Sequence, residues 1–174
     1  MTALRNEMIS IIKVDQQEKL PLDFLRYGRH IQEIKKVHLP FADYWCECLD
    51  GKGNLSIPRI VFERKSIEDL FMTLTTGMER FQREIQKALD LNIQMYLIIE
   101  ANISRVEGAI IGKTNGEQIL KTLMTLRVKY GVEPIFCNDR DEMELQIVST
   151  FLAVRRYWKR HKIVNDDMLT IKEE

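Results

Sequence analysis

Glu63-Arg64-Lys65 closes an apolar run that begins at Ile60, and Ser66 and Asp69 follow at once. Upstream stands Asp43, in Phe41-Ala42-Asp43-Tyr44-Trp45, with Gly51, Gly53 and Asn54 marking a turn between the two stretches. Residues two apart on a strand share a face, so Glu63 and Lys65 point the same way and Arg64 the other. Asp43 and Glu63, on adjacent strands, offer two carboxylates to one hard divalent cation, Mg²⁺ or Mn²⁺. The Arg64 carbonyl is a further oxygen beside them. An ammonium at Lys65 would orient a water or bind a phosphate oxygen. This is the equipment of metal-assisted phosphodiester hydrolysis.

Other charged residues carry two readings each. Asp15 ends the run Met8–Val14 and is a further candidate ligand for metal or water. Arg64 is a site residue or half of a salt bridge between elements. Asp69 is a site acid, or the acid that stabilises a helix start three residues after its cap. Arg80, Arg83 and Lys87 lie on the polar side of a helix, facing DNA phosphates or solvent. Arg155, Arg156, Lys159, Arg160 and Lys162 make the last helix end basic, which suits either DNA or the helix dipole. His30, His38 and His161 are scattered without metal spacing.

The elements that must position these residues follow from periodicity. Met8–Val14 reads as a buried strand ending at Asp15. Pro21 opens a short helix through Tyr27 that Gly28 ends. Gln32–Leu39 and Asp43–Leu49 are strands, the turn at 50–54 makes a hairpin, and Arg59–Lys65 returns as its partner. Ser66 caps a helix carrying Ile67, Leu70, Phe71 and Leu74. Gly77 breaks it, and a second helix to about Leu91 aligns Phe81, Ile85, Ala88 and Leu89. Met95–Ile99 is the continuous apolar run of a strand covered on both faces. Asn102–Gly116, with Gly108, Gly112 and Gly116, reads as a mobile loop. A helix over Glu117–Tyr130 turns Ile119, Leu120, Leu123 and Met124 inward, and Val132–Cys137 is the last strand. Asp139 and Glu142 cap a final helix with Met143, Ile147, Val148, Phe151, Leu152 and Trp158.

The chain has 174 residues, 45% of them hydrophobic, and no net charge. That suits one domain over 1–162, with a flexible polar tail over 163–174. Zero net charge removes the bulk footprint of a nucleic-acid binder and leaves room for a local basic groove. Cys46, Cys48 and Cys137 form neither a CxxC pair nor an even set, so reduced, buried thiols are expected. No signal peptide or membrane-length run is present, and an intracellular, soluble protein is expected. Hairpins first and alternating helices later predict an α/β sandwich on a central mixed sheet.

Three stretches together resemble a known family. Val14-Asp15-x-x-Glu18, Leu39-x-x-Ala42-Asp43-Tyr44 and Phe62-Glu63-Arg64-Lys65-Ser66-x-x-Asp69-Leu70 are similar to the nuclease domain of the XPF-type structure-specific endonucleases. These belong to the PD-(D/E)xK, restriction-endonuclease-like superfamily. The likeness runs from about Ile9 to Cys137. It implies a restriction-endonuclease-like α/β/α fold and Mg²⁺- or Mn²⁺-dependent DNA cleavage leaving a 5′-phosphate, at fork, flap or branched DNA, in repair or recombination. It also implies catalytic roles for Asp43, Glu63, Arg64, Lys65 and Asp69, and a homodimer, placed on the apolar face of the last helix. The family's Gly before the catalytic Asp is Ala42 here, and where relatives carry Arg after Gly77 this chain has Met78, with Arg80 two residues on. Neither the helix-hairpin-helix module nor the helicase of relatives fits in these residues, so a partner protein is expected to supply recognition of DNA structure. The rival functions are a junction-resolving or restriction-like nuclease on the same fold and a non-catalytic DNA-binding or dimerisation subunit.

Overall fold

A computed structural model describes residues 8–50 and 52–161. The expected polar tail over 163–174, and Lys162, lie outside the described residues. The chain falls into two compact units, Met1–Pro58 with Glu144–Glu174, and Arg59–Met143.

In the first unit β1 (Ile9–Asp15) takes β2 (Ile31–Val37) in parallel on one side and β3 (Tyr44–Leu49) antiparallel on the other. This sheet is therefore mixed. Ile12 and Val14 of β1 and Tyr44, Cys46 and Cys48 of β3 are buried, whereas β2 is exposed along most of its length. The turn after β3 is organised by Asp50, whose carboxylate accepts from the N–H groups of Lys52 and Asn54 at 2.8 and 2.9 Å. The two-residue β4 (Leu55–Ser56) closes the hairpin on β3.

No α-helix starts at Pro21. A 3-10 turn over Leu25–His30 stands there instead, containing Gly28. The chain leaves the helical path at Phe24, in the left-handed region, and the N–H groups around it bond to side chains distant in sequence. Leu22 N–H donates to the Tyr44 hydroxyl at 3.0 Å, and those of Asp23 and Phe24 to Glu144 Oε1 at 3.1 and 3.0 Å. Phe24 bends at φ 55° and sets its ring edge-on to Tyr44.

The second unit opens with β5 (Ile60–Lys65), then α1 (Ile67–Leu74) and α2 (Met78–Asp90). Ile67, Leu70, Phe71 and Leu74 are buried as the helical period requires. On α2, Phe81, Ile85 and Ala88 are buried, but Leu89 is 40% exposed, at the edge of the apolar stripe. β6 (Gln94–Ile99) follows, parallel to β5, and the Phe62 and Tyr96 rings stack across the pair at 5.1 Å.

The stretch after β6 is built rather than loose. Asn102 caps α3 (Ile103–Glu107), and β7 (Ile110–Ile111) and β8 (Thr114–Asn115) form a minimal hairpin turning at Gly112, φ 62°. Asn115 then caps α4 (Gly116–Tyr130) in a reciprocal box with Gln118. Ile119, Leu123 and Leu126 are the buried positions of α4 and Leu120 is half-buried. Met124, expected inward, is 39% exposed, because the buried stripe passes through Leu126 instead. β9 (Glu133–Phe136) completes the parallel set beside β6.

α5 (Arg140–His161) carries the chain back into the first unit. Asp139 Oδ1 accepts from Glu142 N–H at 2.8 Å, as expected, while Glu142 reaches back to the Asn138 N–H at 2.6 Å. Met143, Ile147, Val148, Phe151 and Trp158 are buried within the single chain and Leu152 is half-buried. The apolar residues of α5 expected to join two copies are thus buried within the chain itself.

Candidate active site

The residues singled out in the sequence divide between the two units. In the first, Asp15 and Asp43 are neighbours on the backbone: Asp15 N–H donates to the Asp43 carbonyl at 2.9 Å, one step beyond the pairing of Val14 with Tyr44. The Asp15 carboxylate accepts from Leu39 N–H at 3.1 Å and so secures the turn leaving β2. Asp43 is half-buried. Ala42 before it takes φ 59°, in the left-handed region where a side chain is unfavourable. That conformation is a physical reason for the glycine of the family pattern at this position.

In the second unit the end of β5 behaves as its alternation dictates. Lys65 Nζ lies 2.5 Å from Glu63 Oε1, with side chains 11% and 8% exposed. The two share one face of the strand, and the ammonium also stands 6.0 Å from the Phe81 ring centroid. Arg64 turns the other way and meets Glu100 Oε2 at 2.5 Å. Glu100 N–H donates to the Lys65 carbonyl at 2.9 Å, and Arg140 stands 3.8 Å from the Glu100 carboxylate. Glu100 thus ties the end of β5 to the segment after β6 through backbone and side chain at once. Its part was missed in the sequence; its position just after the apolar run Met95–Ile99 was the signal available.

Asp69 is exposed at the start of α1. Its N–H donates to Ser66 Oγ at 3.1 Å, and the Ser66 hydroxyl donates to Asp69 Oδ2 at 3.0 Å. The reciprocal pair fixes the first turn of the helix that begins immediately after Lys65. Arg80 and Arg83 are exposed on α2, and Arg80 is 3.7 Å from Glu84, one turn on.

The acids at issue, Asp15, Asp43 and Glu63, offer hard oxygen donors, which suit Mg²⁺ or Mn²⁺ rather than a soft metal. Among the described residues no three His, Cys, Asp or Glu side chains cluster closely enough to hold a metal ion. The thiols offer nothing, since Cys46, Cys48 and Cys137 are all buried. Burial pushes the Cys137 thiol up to about 12, with the Glu142 and Asp139 charges adding to the effect. Burial likewise raises Cys46, helped by Cys48 and the Glu47 charge. Among the described residues no helix is long and apolar enough to cross a membrane.

Comparisons with known proteins give the family and the fold. A family model described as the ERCC4 domain matches residues 14–149. Among solved structures, the chain is similar to XPF from Aeropyrum pernix, with 20% sequence identity and a TM-score of 0.61 over 87% of this chain and 69% of that one. It is also similar to XPF from Aeropyrum pernix in complex with DNA, with 17% identity and a TM-score of 0.59 over 91% of this chain and 70% of that one. No curated protein matches the chain. The expected α/β fold with a mixed sheet is the fold these structures share.

Proposed function

Because the chain belongs to the ERCC4 domain family, we propose that it is a metal-dependent DNA endonuclease acting on fork, flap or branched DNA. The observation that carries this reading is the end of β5. Glu63 and Lys65 are locked together at 2.5 Å on one face, and the capped helix holding Asp69 starts directly after them. The solved relative in complex with DNA supports DNA as the substrate.

The proposed roles follow from these side chains. Asp43 and Glu63 would hold the cation, on the strength of the sequence pattern, with Asp15 as a further candidate ligand. A bound Mg²⁺ or Mn²⁺ would supply Lewis acidity at the scissile phosphate and lower the pKa of the attacking water. Lys65, held in place by Glu63, orients that water or steadies a phosphate oxygen. Arg64, gripped by Glu100, holds the strand end so that Glu63 and Lys65 keep their face. Asp69 fixes the start of α1 and completes the motif. Arg80 and Arg83, exposed on α2, would meet DNA phosphates through charge alone. Partners in this reading are DNA, a second copy of the chain, and a separate protein that recognises the DNA structure.

The test is incubation of the full chain with fork, flap, junction and linear DNA in Mg²⁺, beside Glu63→Gln. Cleavage by the parent that needs metal and disappears in the variant is expected. Equal cleavage by both would place the chemistry elsewhere. No cleavage by either would favour a non-catalytic subunit.

A further inference from the structure

Among the described residues β2 stands at the end of its sheet, with β1 as its strand neighbour on one side. Every residue from Gln32 to Lys36 is exposed, so neither face of the strand is covered there. The Glu33 and Lys35 side chains are 51% and 45% exposed and pair at 3.6 Å, and Ile34 between them is 44% exposed. One bond fixes which way the backbone points. The Val37 carbonyl accepts from Gln16 N–H at 2.8 Å, so Val37 turns its polar groups toward β1. By the alternation of a strand, Lys35, Glu33 and Ile31 do the same. Gln32, Ile34 and Lys36 turn their N–H and C=O groups away from β1, along the outer edge.

Charged side chains on an edge deter pairing with arbitrary strands. Here they leave one register open to a copy of the same strand. The sequence Ile31-Gln32-Glu33-Ile34-Lys35-Lys36-Val37 is its own complement about Ile34. Laid antiparallel against a second copy, Ile34 meets Ile34, Glu33 meets Lys35, Gln32 meets Lys36 and Ile31 meets Val37, each pair but the first occurring twice. The outward-facing residues, Ile34, Gln32 and Lys36, fall at the positions that exchange backbone bonds. Glu33 and Lys35 fall at the other positions, where opposite residues come closest. Each Glu33 then has a lysine along its own strand and another across the axis, a ring of four alternating charges. Moving the axis to Glu33 or to Lys35 sets like charges opposite each other, and so does a parallel arrangement in register.

We infer that β2 is a pairing edge for a second copy of this chain, joined antiparallel about a two-fold axis at Ile34. The proposed function supplies a second copy as a partner, and the inference gives it a surface without using the chemistry of that reading. A single seven-residue strand is a small contact, so the association is reversible and concentration-dependent.

The experiment is sedimentation equilibrium of the full chain over a wide concentration range, without DNA or metal. Parent, Glu33→Lys, Lys35→Glu and the double exchange Glu33→Lys/Lys35→Glu are compared. Either single reversal places like charges at both symmetry-related pairs, and the dimerisation constant should weaken about tenfold or more. The double exchange restores opposite charges and should associate as the parent does. An equimolar mixture of the two single variants should form a heterodimer, because each then presents the charge that the other lacks. That rescue by mixing is one that a folding defect would not give. A parent dimer indifferent to both reversals overturns the inference while leaving a second copy as partner. A loss that neither the double exchange nor mixing repairs also overturns it. A parent that stays monomeric at every concentration removes both the inference and the second copy from the reading, and leaves the cleavage test untouched.

Discussion

Replacing Gly116 by alanine tests whether the segment between β6 and α4 is as firmly built as described. A Cβ at Gly116 would sit 1.7 Å from the Val106 carbonyl oxygen and 2.5 Å from that of Glu107. Both are backbone atoms of α3, so no side chain can swing aside, and α3 must withdraw by about 1.3 Å to restore a 3.0 Å contact. The other side is held too. Gly116 N–H donates to the Ala109 carbonyl at 2.8 Å, and the Asn115–Gln118 box fixes the start of α4. Overpacking against a rigid neighbour costs about 1–3 kcal/mol, and this contact belongs at the upper end. The helix preference of alanine over glycine returns up to about 1 kcal/mol. The expected net loss is about 2 kcal/mol, a fall in Tm of about 4–8 °C for a chain of this size. Gly108→Ala is the control, because its Cβ would approach nothing nearer than 3.4 Å at an ordinary φ of −78°. Thermal melting of parent and both variants decides the matter. Gly116→Ala melting with the parent, or Gly108→Ala falling as far, would refute the reasoning.

Asp69→Asn preserves a side-chain oxygen for the Ser66 hydroxyl, so as a helix-start residue it should lose only about 0.3–1 kcal/mol of stability. As a site residue it should lower the cleavage rate about 10²-fold or more, and this is the expected result; a parent-like rate in a destabilised variant removes Asp69 from the site. If Arg80 and Arg83 grip phosphates, DNA affinity measured in Ca²⁺ should fall steeply with salt, and the double alanine variant should flatten the log–log slope by about 2; equal slopes would exclude them. The folded-state pKa of Cys137, about 12, lies above the ordinary 9.0, so its contribution to stability is full below about pH 9 and is lost as pH rises toward 12. The urea midpoint of the parent should therefore fall more between about pH 8 and about pH 10 than that of Cys137→Ala, and parallel declines would contradict the assignment.

What could be read in the sequence was whatever depends on near neighbours. Ile60–Lys65, the Ser66 cap and the buried stripe of α1 follow from alternation and helical period, and these bring Glu63, Lys65 and Asp69 into sequence-adjacent order. The misreadings turn on contacts and backbone angles that spacing alone does not show. Leu22, Asp23 and Phe24 look like a helix start, yet Phe24 takes φ 55° with its ring edge-on to Tyr44 and its N–H on Glu144, far along the chain. Gly112 and Gly116 look like flexibility, yet one makes a turn at φ 62° and the other leaves room for a carbonyl. Sequence spacing cannot tell a glycine that frees the chain from one that lets two backbones touch. The ion pair between Lys13 of β1 and Glu47 of β3, 2.5 Å apart, was equally hidden, since it appears only once strand register is known.

The bonds from Asp23 and Phe24 to Glu144 span 121 and 120 residues. During synthesis, therefore, the first three strands leave the ribosome long before the helix whose carboxylate captures them. The inserted stretch Arg59–Met143, with its parallel strands and connecting helices, has all its own partners available earlier. The bonds that Asp23 and Phe24 make with Glu144 are therefore among the last the first unit can form, after its strands have already met one another.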